Sequence, residues 1–155
     1  MNEYEKLLDE AYKNNIDVME YDFDSERIKG LYCDGVIALN RNMDTSAEKS
    51  CILAEELGHH HTSFGNIIDM QDIQNIKQER QSRIWAYDSQ IGLLGLIRAY
   101  ERHCQSQYEV AEYLNVTEEF LCEALNYYRA RYGEFTTIDH YIVRFIPALS
   151  IAKLF

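Results

Sequence analysis

The spacing of apolar residues predicts one helix and one sheet in the first forty residues. Apolar side chains recur at helical intervals over residues 2–14, which predicts an amphipathic helix. Three short runs rich in β-branched and aromatic residues follow, and Asp34-Gly35 separates the last two. Glycine tolerates the positive φ of a tight hairpin turn. The pattern therefore predicts a small antiparallel sheet near residues 16–40.

The rest of the chain has a mostly helical pattern. Thr45 and Glu48 have the spacing of a capping box, so a helix should run from about residue 46 to about residue 61. Thr117 is a second expected N-cap. The other predicted elements are helices near 71–87 and 93–102, two helical segments within 107–131, and strand-like runs near 135–139 and 141–146. Together these elements predict an α+β fold.

Length and composition predict one globular domain. The chain has 155 residues, of which 46% are hydrophobic, and this is enough to bury a substantial core. It contains one proline, and neither a Gly/Ser-rich linker nor an internal repeat marks a boundary. We therefore expect a single domain over residues 1–155.

The charge of the chain argues against a nucleic-acid or membrane partner. With 26 acidic and 15 basic residues, the formal net charge of -11 should repel phosphate backbones and anionic lipid. The four cysteines show no C-x-x-C spacing, the N-terminus lacks the pattern of an export signal, and the apolar C-terminal stretch is too short to span a bilayer. We expect a soluble cytoplasmic protein with reduced thiols.

Candidate chemistry lies in Cys51–His61, which reads C-I-L-A-E-E-L-G-H-H-H. Residues at i and i+4 lie on one face of a helix and can hold one metal ion, while residue i+1 projects beside it. Glu55 and His59 have this spacing, and Glu56 stands at the position of a general base. The registers that use the later histidines lack either a base or a first ligand. The spacing therefore favours Glu55 and His59 as metal ligands and Glu56 as the catalytic base.

The next predicted helix supplies a possible third ligand, Glu79. Ser82 and Ala86 share its face and are small, so the two helices could pack closely and bring the Glu79 carboxylate to the metal. A second interpretation stays open at this point, because E-E-x-x-H arises easily by chance in an acidic protein and charged helix ends are usually solvated. The capped helix, the apolar run before Glu55 and the presence of Glu79 all strengthen the metal-site hypothesis.

These segments resemble the ImmA/IrrE family of metallo-endopeptidases, which occurs in phages, integrative elements and stress-response loci. Ile52–His60 is similar to the family's H-E-L-G-H helix, and Glu79–Ala86 is similar to its E-x-x-A-N-x-F-A segment. A hairpin of Gly30–Tyr32 and Val36–Leu39 leads into the helix. The resemblance covers most of the chain. It departs at Glu55, where the family's general pattern has histidine.

The resemblance implies a gluzincin-like peptidase with zincin-like active-site helices, a catalytic core over about 1–103 and a further part over about 104–155. It implies Zn²⁺ held by Glu55, His59 and Glu79, with Glu56 as the catalytic glutamate. Two carboxylate ligands would also suit Mn²⁺ or Fe²⁺. The implied substrate is a helix-turn-helix repressor, whose cleavage derepresses phage or mobile-element genes. The alternative is a weak or inactive relative that binds the repressor as a non-enzymatic regulator.

Residues 108–121 resemble a helix-turn-helix, with apolar residues at the four expected packing positions. A second helix that reads DNA needs basic or amide side chains at its N-terminal end. This one carries Glu118, Glu119 and Glu123 instead. The charge therefore favours a packing module or a docking surface for another protein over direct contact with nucleic acid.

A peptidase also needs a group that stabilises negative charge on the scissile carbonyl oxygen. Tyr32 and Tyr87 are candidates by their neighbourhood in the sequence only. The chain has twelve tyrosines, and a tyrosine in such a chain more often packs than reacts. Neither is therefore included among the predicted site residues.

Overall fold

The computed structural model describes residues 2–62 and 73–154, and the side chains of all of these except 73–75. The chain forms two compact units, Met1–Ala86 and Tyr87–Phe155. The boundary falls within one helix, Ile73–Gln90. The two units are described in turn, and the predicted single-domain organisation stays a prediction.

The first unit combines a three-stranded sheet with helices. Its elements are α1 (Glu3–Lys13), β1 (Asp17–Tyr21), β2 (Gly30–Cys33), β3 (Val36–Asn40), α2 (Ser46–Thr62) and the first part of α3 (Ile73–Gln90). The strand order is β1-β3-β2. The turn between β2 and β3 has positive φ at both Asp34 and Gly35, so the predicted hairpin is confirmed.

One strand pairing differs from the expected antiparallel sheet. β2 and β3 are antiparallel, but β1 runs parallel to β3, so the sheet is mixed. The reason is the strand order, in which β3 lies between β1 and β2. The hairpin strand that pairs with β1 is therefore β3, which runs in the same direction, and the N–H of Asp17 donates to the carbonyl of Gly35 at 2.9 Å where the pair begins.

The sheet and α1 bury the apolar face of α2. Leu53, Ala54 and Leu57 of this helix are fully buried, as is Ile37 on β3. The hydroxyl of Thr45 accepts the N–H of Glu48 at 3.1 Å, which confirms the predicted start of the helix. α2 is therefore fixed at its first turn by a cap and along its length by the core.

The second unit contains three further helices after the end of α3. They are α4 (Gly92–Glu101), α5 (Gln107–Leu114) and α6 (Glu118–Tyr132). The hydroxyl of Tyr128 accepts the N–H of Gly92 at 3.1 Å and lies 3.2 Å from the carbonyl oxygen of Tyr87. Gly92 has a positive φ of 62°, and the buried Tyr128 bonds to the backbone on both sides of the break between α3 and α4.

The helix-turn-helix-like arrangement of α5 and α6 is present as predicted. Asn115 adopts the left-handed conformation in the turn, and the hydroxyl of Thr117 accepts the N–H of Phe120 at 3.0 Å. The four apolar residues expected to pack are buried, namely Ala111, Leu114, Val116 and Leu121. Glu118, Glu119 and Glu123 are exposed, so the N-terminal face of α6 is acidic.

The unit ends in an antiparallel sheet of three strands, β4 (Phe135–Ile138), β5 (Tyr141–Arg144) and β6 (Ser150–Lys153). The first two strands confirm the strand-like runs, whereas β6 adds a strand that the pattern does not indicate. Val143 and Phe145 are buried, and Phe145 packs against Tyr128 and Tyr132. Throughout residues 2–62 and 73–154, no helix has both the length and the apolar character needed to cross a membrane.

Candidate active site

A glycine brings α2 and α3 into direct contact. A Cβ atom built on Gly58 would overlap the carbonyl oxygen of Ser82 and would lie 3.0 Å from its carbonyl carbon. Ser82 is fully buried, and its hydroxyl donates to the carbonyl of Glu79 at 2.7 Å. The close approach expected from Gly58 and the small Ser82 therefore occurs, and it places Glu79 one turn away from the contact.

The contact joins two of the predicted ligands. His59 Nε2 lies 3.1 Å from Glu79 Oε2, and the side chain of His59 is only 8% exposed. Two donor atoms about 2.0–2.1 Å from one tetrahedral zinc ion lie about 3.3 Å apart. The spacing of this pair is therefore close to that of two ligands of one ion, and without an ion it is that of a hydrogen bond.

Glu56 lies beside this pair and is buried. It is 9% exposed, and a Cβ built on Gly30 of β2 would lie 3.2 Å from Glu56 Oε1. Burial raises the pKa of Glu56 to about 7, the charge of His59 lowers it in part, and the charges of Glu55 and Glu79 raise it further. A carboxyl group with a pKa near neutrality can both accept and return a proton, as a general base must.

The His59–Glu79 pair shifts the titration of both partners. Burial alone would lower the pKa of His59, but the hydrogen bond to Glu79 and the neighbouring carboxylates raise it. The same hydrogen bond lowers the pKa of Glu79, against the opposite effect of burial. Arg83 Nε lies 3.9 Å from Glu79 Oε1 and adds to the lowering. A protonated His59 beside an ionised Glu79 is therefore a stable arrangement in the absence of a metal.

Glu55 lies one turn before His59 on α2. It is partly exposed, and its charge acts on both Glu56 and His59. Among the residues that the structure describes, no three His, Cys, Asp or Glu side chains form a group that could hold one ion. His59 Nδ1 is buried without a hydrogen-bond partner in that same part of the chain. The chemistry and the spacing of His59 and Glu79 thus fit two ligands of one zinc ion, and the role of Glu55 as a further ligand stays a prediction.

The two later histidines contact other elements. His60 Nδ1 lies 2.9 Å from the hydroxyl of Tyr32 on β2. Burial lowers the pKa of His60, with a smaller contribution from the charge of His61. His61 stacks on Trp85 of α3 with ring centroids 4.7 Å apart. Each of these side chains therefore has a partner other than the His59–Glu79 pair.

Two residues at the site were not singled out as site residues from the sequence. Gly30 contacts Glu56, and Tyr32 contacts His60. Side chains alternate between the two faces of a strand, so Gly30 and Tyr32 lie on the same side of β2. This alternation is the sequence feature from which both residues could have been predicted. Tyr87 lies in the second unit, where its hydroxyl donates to Glu123 at 3.3 Å and its ring packs against Phe120.

A helix that carries Glu-Glu-x-x-His, packed through a glycine on a second helix that brings a glutamate to the histidine, defines a metallopeptidase-like protein. The sequence model of the peptidase M78 family, described as the IrrE N-terminal-like domain, matches residues 11–126. The chain belongs to this family, which confirms the resemblance and the α+β fold class. No curated protein and no solved structure matches the chain. Membership implies a divalent metal ion, usually zinc.

Proposed function

We propose that this protein is a zinc-dependent metallo-endopeptidase that cleaves a helix-turn-helix repressor and so derepresses phage or mobile-element genes. The observation that carries the proposal is the buried Glu56 beside the His59–Glu79 pair. The two groups that hold an ion and the group that moves a proton come together from α2 and α3 through the contact at Gly58. The family membership supports the same reaction class.

His59, Glu79 and Glu55 would hold the metal. Bound there, zinc would supply Lewis-acid polarisation of the scissile carbonyl and would lower the pKa of water. An imidazole with two carboxylates is richer in oxygen than a two-histidine set, so Mn²⁺ or Fe²⁺ could replace zinc. The two carboxylates also neutralise more of the ion's charge, and we therefore expect slow turnover.

Glu56 would act as the general base and then as the general acid. Its carboxylate accepts the proton that the attacking water loses, and it returns this proton to the leaving amine. In the metal-free protein, burial raises the pKa of Glu56 to about 7, so this carboxyl group exchanges protons readily near neutral pH. Gly30 on β2 leaves room for this carboxyl group, because a Cβ built there would lie 3.2 Å from Glu56 Oε1.

A repressor is proposed as the substrate because family members near phage or element repressors are implicated in repressor cleavage. Charge complementarity supports this choice. The chain carries a net charge of -11, whereas DNA-binding proteins are basic, so the two should associate rapidly at low salt. The reaction would take place in the cytoplasm, where the repressor acts.

One observation favours a second candidate, a non-catalytic protein that binds the repressor. Among the described residues, Glu55 does not join His59 and Glu79 in a group that could hold one ion. A relative that has lost the ion could still bind its former substrate. The two candidates differ in metal content and in their dependence on Glu56.

The test uses the purified protein and the helix-turn-helix repressor encoded by the neighbouring gene. Metal content is measured by native mass spectrometry, and repressor cleavage is followed by gel and peptide mapping. We expect one zinc ion in both wild type and Glu56→Gln, with cleavage by wild type and by the control Glu48→Gln but not by Glu56→Gln. If wild type and Glu56→Gln deplete the repressor equally, the peptidase proposal is wrong and the binding protein replaces it.

A further inference from the structure

The strand β2 contacts α2 with two of its residues. Gly30 lies against the carboxyl group of Glu56, and Tyr32 lies against His60. Residues two apart on a strand point to the same side, and residues four apart on a helix share a face. The two contacts therefore lie side by side, about 6 Å apart, which is the separation of successive turns on one helix face. The hydroxyl of Tyr32 thus meets α2 at His60, one turn after the proposed base Glu56.

The hydroxyl of Tyr32 is suited to meet a ligand. Its side chain is partly exposed, and its one described hydrogen-bond contact joins the hydroxyl to His60 Nδ1 at 2.9 Å. The rings of Tyr32 and His60 pack edge to face with their centroids 5.7 Å apart. This packing restricts the direction of the Tyr32 hydroxyl. Tyr32 is thus held in place by His60 while its side chain keeps part of its surface exposed.

We propose that Tyr32 is a further catalytic residue and that His60 is its positioning residue. This inference rests on the proposed peptidase function. The Tyr32 hydroxyl donates a hydrogen bond to the oxygen of the scissile carbonyl as that oxygen gains negative charge. The hydrogen stays on Tyr32 throughout, and the proton of the attacking water goes to Glu56. The interaction strengthens in the transition state, because a charged acceptor makes a stronger hydrogen bond than a neutral carbonyl.

The proposal requires one particular arrangement of hydrogens between Tyr32 and His60. A neutral imidazole has one N–H and one bare nitrogen, and a tyrosine hydroxyl has one hydrogen to give. If His60 Nδ1 carries its hydrogen, it donates to the Tyr32 oxygen, and the hydroxyl hydrogen remains for the substrate. If Nδ1 is bare, it accepts that hydrogen and leaves none for the substrate. The inference therefore assigns the Nδ1–H tautomer to His60.

The first test reads this tautomer directly and does not depend on activity. Heteronuclear NMR of the ¹⁵N-labelled full chain, with and without added zinc, identifies which nitrogen of His60 is protonated at neutral pH. We expect Nδ1–H in wild type, and a loss of this preference in Tyr32→Phe, whose ring has no oxygen to accept the bond. Observation of the Nε2–H tautomer with a bare Nδ1 in wild type would overturn the proposal.

The second test separates catalysis from binding. A fluorogenic peptide selected from a random hexapeptide pool for cleavage by wild type serves as the probe. We expect Tyr32→Phe to lower kcat by about 10²–10³-fold, with KM unchanged within about twofold, as for loss of one oxyanion donor. Tyr141→Phe loses a comparable bond, from its hydroxyl to Glu101 at 3.1 Å, and should keep the wild-type kcat.

The outcomes distinguish a failure of the proposed peptidase function from a failure of the proposed role of Tyr32. If no peptide is cut, or if Glu56→Gln cuts as fast as wild type, the peptidase proposal fails and the role of Tyr32 fails with it. If Glu56→Gln is inactive while Tyr32→Phe keeps the wild-type kcat, only the inference about Tyr32 fails.

Asparagine can place an N–H near the position of Nδ1. We therefore expect His60→Asn to retain more activity than His60→Leu, and equal loss in both variants would contradict the positioning role.

Discussion

The contact between α2 and α3 leaves no space for a side chain at Gly58. We therefore predict that Gly58→Ala destabilises the protein. In Gly58→Ala, the new methyl group overlaps the carbonyl oxygen of Ser82 and lies within 3.1 Å of two further backbone atoms of that residue. These atoms belong to a helix and cannot rotate away as a side chain could. The two helices must therefore separate by about 1 Å to restore ordinary van der Waals distances.

The expected change in the free energy of unfolding is the sum of two opposing contributions, helix propensity and overpacking. Alanine in place of a helical glycine favours the folded helix by about 1 kcal/mol. Overpacking a rigid contact costs about 1–3 kcal/mol, and a backbone neighbour places this change near the upper end. We expect Gly58→Ala to lose about 2 kcal/mol of stability, and hence about 4–8 °C in Tm. The separation would also lengthen the 3.1 Å contact of His59 with Glu79.

Gly95→Ala is the matched control, because Gly95 is also a helical glycine. A Cβ built on Gly95 meets its nearest neighbour, Leu114 Cδ2, at 3.5 Å, which is an ordinary contact. We therefore expect this variant to gain about 1 kcal/mol from helix propensity alone. Thermal and urea unfolding of both variants measure the difference. If Gly58→Ala is stabilised as much as Gly95→Ala, the close approach of α2 and α3 is refuted.

Three further predictions test single interactions. The pKa of Glu56 is raised from 4.5 to about 7 on folding, so the metal-free protein should lose about 3 kcal/mol as pH rises through this range. Urea unfolding at several pH values should show this slope in wild type and a much weaker slope in Glu56→Gln. Glu79→Gln should lower the pKa of His59 in an NMR titration, because the hydrogen bond to Glu79 raises it; an unchanged pKa would contradict this. Thr117→Ala should cost about 1 kcal/mol in thermal unfolding, whereas Thr117→Ser, which keeps the capping hydroxyl, should cost less.

Local sequence signals predicted the parts of the structure that local chemistry controls. The caps at Thr45 and Thr117 fix the starts of α2 and α6, and Asp34-Gly35 fixes the hairpin. The small size of Gly58 and Ser82 indicated the helix contact that brings Glu79 to His59. In each case, a residue type with a specific conformational or steric property stands at the position that needs it.

The features that were not predicted depend on partners distant in the sequence. The parallel pairing of β1 with β3 depends on the strand order β1-β3-β2, which no periodicity reveals. The contact of Tyr32 with His60 spans 28 positions, and it requires the direction of β2 relative to α2. The ligand role of Glu55 stays a prediction that rests on its spacing to His59.

The three consecutive histidines illustrate why spacing along a helix matters more than a cluster of suitable residues. Successive residues of an α-helix are rotated by about 100°, since a turn contains 3.6 residues. His59 accordingly reaches Glu79 on α3, and His60 reaches Tyr32 on β2. His61 reaches Trp85. Three adjacent imidazoles on a helix therefore cannot bind one ion together. In this chain they join α2 to three neighbouring elements, because His61 Nε2 also lies 3.7 Å from Glu10 Oε1 on α1.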